Sequence, residues 1–161
     1  MELLKSLSWK SALDIAHNYA LSVSGCRKVA VGSLILKDRG VLSIGANKGI
    51  PNLCHMRGCL RVEKYGDDSK SHRDPADCRA IHSEIDAICS AARSGTSLID
   101  STIIVTRYPC ESCAKAIIAA GIKTVIYGGT ANVSEQTREM FECFGVECVH
   151  IKDWREDLTD R

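Results

Sequence analysis

Four residues in two short segments have the types and spacing of a metal site with a carboxylate beside it. His82 and Glu84 stand in the segment HSEIDAICSAA, and Cys110 and Cys113 stand in PCESCA. Cysteines at i and i+3 share one face of a helix, so both sulfurs can reach the same ion. The start of a helix also lowers a thiol pKa, which supplies the thiolates that Zn²⁺ requires.

The number of ligands indicates a catalytic metal site rather than a structural one. One histidine and two cysteines make three protein ligands, whereas structural zinc sites close with four and catalytic sites leave the fourth position to water. Two steps along a helix turn a side chain by about 200°, so Glu84 cannot share a lateral face with His82. Both can share a site beyond the helix end, where Glu84 can exchange a proton with an activated water. A capping glutamate, a core histidine or a redox cysteine pair would explain either motif alone, but not both in this order.

Apolar spacing predicts the elements that position these residues. The pattern predicts helices over 8–21, 81–94, 113–121 and 134–145, and strands over 29–37, 41–46, 101–106, 124–128 and 146–151. The first two strands form a hairpin that turns at residues 38–40. We therefore expect an α/β fold, a three-layer α/β/α sandwich with a five-stranded mixed, mostly parallel sheet. Both motifs then lie past the carboxyl ends of strands, where such sheets bind ligands.

Composition narrows the function classes. The chain has 161 residues, nine cysteines and a formal net charge of +1, so we expect one domain over 1–161 and do not favour a nucleic-acid partner. No apolar run approaches the roughly 20 residues that span a bilayer. The first ten residues do not resemble a signal peptide, so we expect a cytoplasmic location and cysteines that bind metal rather than form disulfides.

Residues 47–80 form a Cys/His-rich segment without apolar periodicity. A loop of that length in a small domain needs a stabilising feature. Cys54, Cys59 and Cys78 provide three ligands for a second, structural zinc, and His72 or His55 provides the fourth. We prefer His72 as the fourth ligand. The alternative is a set of free cysteines lining a pocket.

The pattern H-x-E followed by P-C-x-x-C is the signature of zinc-dependent nucleobase deaminases. From about residue 8 to 150 the chain resembles the cytidine/deoxycytidylate deaminase superfamily, most closely its deoxycytidylate (dCMP) deaminase branch. The resemblance also covers SGCRKVAVGSLIL, GANKGIP, CRAIHSEIDAI and TRYPCESCAKAIIAAGIKTVIY. It implies a cytidine-deaminase-like fold and hydrolysis of dCMP to dUMP and ammonia. The spacing of Cys54, Cys59 and Cys78 resembles a subset of bacterial and phage members.

The resemblance also implies residue roles. Glu84 would take a proton from the attacking water and pass protons to N3 and to the amino group that leaves C4. Asn47 matches an asparagine that commonly contacts the sugar. Arg27 and Lys28 lie where the dCMP branch is often basic, which indicates phosphate contact, although solvated charges at a strand start explain the pair equally well.

Ser83 and Pro109 adjoin the zinc ligands in sequence and are expected to contribute to substrate binding. Family members usually assemble as homo-oligomers, from dimers to hexamers. A small nucleotide is the expected substrate.

Two departures from the family pattern leave the substrate open. The family's G-Y-N-G segment, linked in several members to nucleotide-triphosphate regulation, reads Gly45-Ala46-Asn47-Lys48 here, so a triphosphate effector stays open. The usual H-A-E-x-N-A has Ser83 and Asp86 in place of Ala and Asn. The alternatives are a deaminase for another or modified base (dCTP, guanine or adenosine type) and a non-catalytic zinc-binding module.

Overall fold

The structure is a computed structural model that describes residues 2–26, 28–38, 40–49, 54, 58–66, 78–129 and 133–155. Its helices are α1 (Glu2–Val23), α2 (Leu60–Tyr65), α3 (Ser83–Arg93), α4 (Glu111–Ala119) and α5 (Glu135–Cys143). Its strands are β1 (Gly32–Lys37), β2 (Gly40–Ala46), β3 (Thr102–Val105), β4 (Thr124–Tyr127) and β5 (Glu147–His150). No helix in these described ranges combines the length and the apolar character needed to cross a membrane.

The described strands form one sheet in the order β2-β1-β3-β4-β5. β1 is antiparallel to both of its neighbours, whereas β3, β4 and β5 are parallel to one another. Four strands therefore run in one direction and β1 runs against them, which confirms the mixed, mostly parallel sheet. Ser33 of β1 pairs with Gly45 of β2 and with Val105 of β3, so these two strands end at the same edge of the sheet.

Alternate side chains of the strands supply two cores, one on each face of the sheet. On one face, α1 buries Leu13 and Ala16 against Leu34, Ile104 and Ile126, with Trp154 of the C-terminal segment beside them. On the other face, α3, α4 and α5 bury Ala87, Ile117 and Phe141 against Ile35, Ile103 and Val125. Burial of each large side chain contributes about 1.5–3 kcal/mol. The result is the predicted three-layer sandwich.

Two elements differ from the sequence prediction. α1 begins at Glu2 rather than at residue 8, because the Glu, Leu and Lys residues before Ser8 are good helix formers. The segment 47–80, predicted to lack secondary structure, contains α2, whose six residues are too few to show a period. Much of that segment lies outside the described residues, so the single domain over 1–161 stays a prediction.

Gly45, which has no side chain, lets α3 approach the sheet closely. A Cβ atom at Gly45 would lie 2.3 Å from the carbonyl oxygen of Ser83 and 2.4 Å from the amide nitrogen of Ala87. Both distances are far inside van der Waals contact with backbone atoms, which cannot rotate away. The first turn of α3 therefore rests directly on β2, and only glycine fits at this contact.

An ion pair joins the same two elements. Lys48 Nζ lies 2.8 Å from Oδ2 and 3.0 Å from Oδ1 of Asp86, and the Ala46 amide also donates to Oδ2 at 3.2 Å. The Asp86 side chain is only 8% exposed. Lys48 and Ile81 exchange two backbone hydrogen bonds at 2.9 and 2.8 Å. The chain leaving β2 is thus bonded to the residues that open α3.

We predict that Gly45→Ala lowers the free energy of unfolding by about 1–3 kcal/mol, because the new methyl group displaces α3 from β2. Urea denaturation measures this change. Gly40→Ala is the matched control, since its Cβ meets nothing closer than 3.4 Å, and its effect stays within about 0.5 kcal/mol. Equal effects of the two substitutions would contradict the packing argument.

We predict that Lys48→Met lowers the free energy of unfolding by about 1–3 kcal/mol, because it leaves a buried carboxylate without its cation. Lys48→Arg keeps the charge and should lose less. Lys115→Met removes an exposed pair with Glu111 and should cost no more than about 0.5 kcal/mol. The same denaturation assay ranks the three variants, and a Lys48→Met effect no larger than that of Lys115→Met would refute the prediction.

Candidate metal and active site

Two helix starts meet at the edge of the sheet where β2 and β3 end. His82 is the N-cap of α3 and Cys110 is the N-cap of α4, and both have extended backbones. Ile81 is held beside Lys48, two residues past β2, and the loop after β3 leads into Cys110. This is the edge at which α/β sheets bind ligands, as the sequence predicted for both motifs.

Three ligand atoms converge at this point. His82 Nδ1 lies 3.4 Å from Cys110 Sγ and 3.4 Å from Cys113 Sγ, and all three atoms lie within 4.8 Å of one another. Tetrahedral zinc with usual Zn–S and Zn–N bonds would hold such donors about 3.6 Å apart. The donor set and its spacing therefore fit zinc. Among the described residues, no other group of three or more His, Cys, Asp or Glu side chains converges in this way.

The electrostatics of the cluster favour a cation. A hydrogen bond from Cys113, followed in importance by one with His82, lowers the pKa of Cys110 to about 4. The interactions of His82 with Cys110 and Cys78 raise its pKa to about 10. The Cys113 thiol donates to Cys110 and is buried, and both effects raise its pKa. The three groups share protons that a zinc ion would displace.

Glu84 lies in the first turn of α3, next to these ligands. The residue is 5% exposed, and burial raises the pKa of its carboxyl group. The carboxylate lies close enough to Cys113 to contribute to the raised pKa of that thiol. Its Oε2 also accepts a hydrogen bond of 3.1 Å from the Ser83 hydroxyl. The carboxyl group is therefore buried, hydrogen-bonded and adjacent to the three converging ligands.

Asn47 is buried beside the site and uses its side chain to hold the chain before β1. Its Oδ1 accepts from the Val31 amide at 2.9 Å and from the Ser24 hydroxyl at 2.7 Å. Its Nδ2 donates to the Val29 carbonyl at 2.9 Å. These bonds occupy the oxygen and one N–H group of the amide. Contact with a sugar stays a prediction.

The other residues predicted to bind the substrate differ in their burial, and one of them lies outside the described residues. Ser83 is fully buried and Pro109 is buried directly before Cys110. Lys28 is half-buried, and Arg27 lies outside the described residues. Their predicted roles in binding the substrate stay predictions.

The second zinc site also stays a prediction. Cys54, Cys59 and Cys78 are half-buried free cysteines, while His72 and His55 lie outside the described residues. The Cys78 thiol makes a hydrogen bond with His82, which lowers the pKa of Cys78. Cys78, a proposed ligand of the second zinc, therefore lies beside His82 of the first site.

Two contacts of the site did not follow from the motifs. One is the hydrogen bond between Cys78 and His82, and the other joins the hydroxyls of Ser33 and Ser83 at 2.7 Å. Cys78 offered a signal only in lying four residues before His82. Ser33 offered a clearer one, because it is a polar residue inside the buried strand sequence VAVGSLILK.

Comparisons with known proteins agree with this geometry. The sequence model of the family "Cytidine and deoxycytidylate deaminase zinc-binding region" matches residues 8–129. The ComE operon protein 2 of Bacillus subtilis is 31% identical, covering 98% of this chain and 80% of that protein. The deoxycytidylate deaminase of Enterobacteria phage T4 is 44% identical, covering 65% of this chain and 69% of that protein.

A solved structure resembles the whole fold. The crystal structure of the dCMP deaminase from cyanophage S-TIM5, in complex with dCMP and dUMP, has a TM-score of 0.65 and 25% sequence identity to this chain. The alignment covers 88% of this chain and 94% of that chain. The family match spans more than half of the sequence and includes all three converging ligands and Glu84. The chain therefore belongs to the cytidine and deoxycytidylate deaminase family of zinc-binding proteins.

Proposed function

We propose that this chain hydrolyses dCMP to dUMP and ammonia. The observation that carries the proposal is the convergence of His82, Cys110 and Cys113, with the buried carboxyl group of Glu84 beside them. Three ligands leave one position of a tetrahedral metal for water. A structural zinc site would have no need for an acid–base group in this place.

His82, Cys110 and Cys113 would hold the zinc ion, which supplies a Lewis acid that makes water nucleophilic at neutral pH. Glu84 accepts the proton that water loses as its oxygen bonds to C4 of the cytosine ring. Glu84 delivers this proton to N3, then takes the second proton from the hydroxyl now on C4 and delivers it to the amino group, so the C4–N bond breaks, the C4 carbonyl forms and ammonia leaves. Because burial raises the pKa of Glu84, this carboxyl group is suited to hold a proton between the two transfers.

The relatives support a deoxycytidine nucleotide as the substrate. The phage T4 protein is a deoxycytidylate deaminase, and the cyanophage enzyme was crystallised with dCMP and dUMP. Arg27 and Lys28 precede β1 and supply the positive charge that a 5′-phosphate requires. A dimer to hexamer of this chain is a further part of the proposal, whereas the departure from the family pattern at residues 45–48 gives no support for a triphosphate effector.

The residues that depart from the family pattern make their contacts inside the protein, which bears on the choice of substrate base. Ala46 is fully buried in a small apolar cluster. The Asp86 carboxylate is engaged by Lys48 and by the Ala46 amide, and the Ser83 hydroxyl is engaged by Ser33 and Glu84. These polar groups act within the protein, so they give no reason to favour a guanine, an adenosine or a modified base over cytosine.

We predict that the purified protein holds about two zinc ions per chain and that Cys110→Ala holds about one. The remaining ion would be the structural one, which we propose at Cys54, Cys59, Cys78 and His72. Atomic emission spectroscopy measures both contents. Cys143→Ala, at an exposed cysteine of α5, should keep the wild-type content. A wild-type content of one that falls to zero in Cys110→Ala would refute the second site only.

We predict that Glu84→Gln lowers kcat for dCMP by at least about 10²–10⁴-fold while the zinc content is unchanged. The amide keeps the size of the side chain but cannot carry the proton. Ammonia release from dCMP, dCTP, deoxycytidine, CMP and dGMP identifies the substrate, and Cys143→Ala again serves as the control. If another compound in this set is turned over instead of dCMP, that compound is the substrate. If Glu84→Gln turns over dCMP at the wild-type rate, Glu84 does not transfer the proton.

A further inference from the structure

Two buried serines stand behind the Glu84 carboxylate. The Ser83 hydroxyl lies 3.1 Å from Glu84 Oε2 and 2.7 Å from the Ser33 hydroxyl. Both serines are completely buried. Ser33 belongs to β1 and Ser83 opens α3, so the pair connects the sheet to the helix that carries the acid–base group.

The chemistry of the groups sets the direction of these bonds. The Ser83 hydroxyl is the donor in its bond to Glu84 Oε2, so its one hydrogen is used there. Since Ser83 has only that hydrogen, Ser33 must donate to Ser83. The Ser33 hydroxyl thus donates to the Ser83 hydroxyl, which donates to Glu84 Oε2. Each of these bonds polarises the next.

The position of Ser33 makes this arrangement rigid. Ser33 pairs with Gly45 on one side and with Val105 on the other. Gly45 is the residue on which the first turn of α3 rests, and Val105 ends the strand that leads to Cys110. The hydroxyl thus stands on β1, between β2, against which α3 packs, and β3, which leads to Cys110.

Held in this way, one carboxylate oxygen of Glu84 has a fixed place. A free glutamate side chain has several rotamers, and restricting them costs conformational entropy. We propose, on the basis of the proposed function, that Ser83 and Ser33 are positioning residues that fix Glu84 Oε2 for proton transfer. A role confined to satisfying buried polar groups would stabilise the fold without affecting the rate.

The test compares Ser83→Ala with Ser43→Ala. Ser43 is another buried serine that hydrogen-bonds to α3, through the Ala87 carbonyl at 2.6 Å, and among the described residues no hydrogen bond joins it to Glu84. We expect Ser83→Ala to lower kcat by about 10- to 100-fold, with KM and zinc content unchanged. Ser43→Ala should keep the wild-type kcat even if it unfolds more easily. Ser83→Thr, which keeps the hydroxyl, should recover most of the lost rate.

The double variant tests the path from Ser33. If Ser33 acts through Ser83, Ser33→Ala lowers kcat in the wild type but not in the Ser83→Ala background. Independent, multiplying effects would overturn the relay. A wild-type kcat in Ser83→Ala, or an equal loss in Ser43→Ala, would overturn the positioning role while the proposed function stands.

A measurement without turnover separates the two proposals. In crystal structures of the zinc-loaded variants, we expect Glu84 to adopt one conformer in the wild type and in Ser43→Ala, and several in Ser83→Ala. A single, unmoved Glu84 in Ser83→Ala would overturn the positioning role, whatever the substrate. Absence of wild-type activity on all five compounds would instead overturn the proposed function.

Discussion

The contact of α3 with β2 at Gly45 is the constraint on which the rest of the site depends. The first turn of α3 carries a metal ligand, the acid–base group and the serine behind it, so the position of that turn sets all three at once. The Asp86 carboxylate accepts from the Ala46 amide and from Lys48. These bonds fix the orientation of α3 at a contact that is possible only because Gly45 has no Cβ atom.

Protons and charge explain why the site suits a metal. The cluster places a thiol with a lowered pKa beside a histidine with a raised pKa. A zinc ion held by His82, Cys110 and Cys113 would displace the protons of these groups. Glu84 is kept neutral more easily than an exposed carboxyl group, because burial penalises its charge. Binding of the metal and transfer of protons are thus assigned to different groups.

The residues that depart from the family pattern have a common physical role. Ser83 and Asp86 direct their polar groups at partners inside the protein, and Lys48 provides the charge that balances Asp86. Asn47 similarly uses its amide to hold residues 29 and 31. The polar contacts around the site are therefore largely contacts that fix its shape. We propose that residues outside this network discriminate among substrates, with Arg27 and Lys28 among the candidates.

The sequence by itself predicted all the strands and four of the five helices that the structure describes, and the three side chains that converge as ligands, because each of these depends on local spacing. Two cysteines one helical turn apart, a histidine at a helix start and alternating apolar strands show their pattern within a few residues. The family resemblance followed from the same segments. Helix α2 was missed because its six residues make fewer than two turns, which is too short for a 3.6-residue period to repeat.

Only the tertiary structure decided how these segments meet. The Ser33–Ser83 bond, the Lys48–Asp86 pair and the approach of α3 to Gly45 each join residues 38 to 50 positions apart. Such contacts depend on strand register and on the distance between a helix and the sheet. Neither is written in the local pattern, because both result from packing the whole core at once.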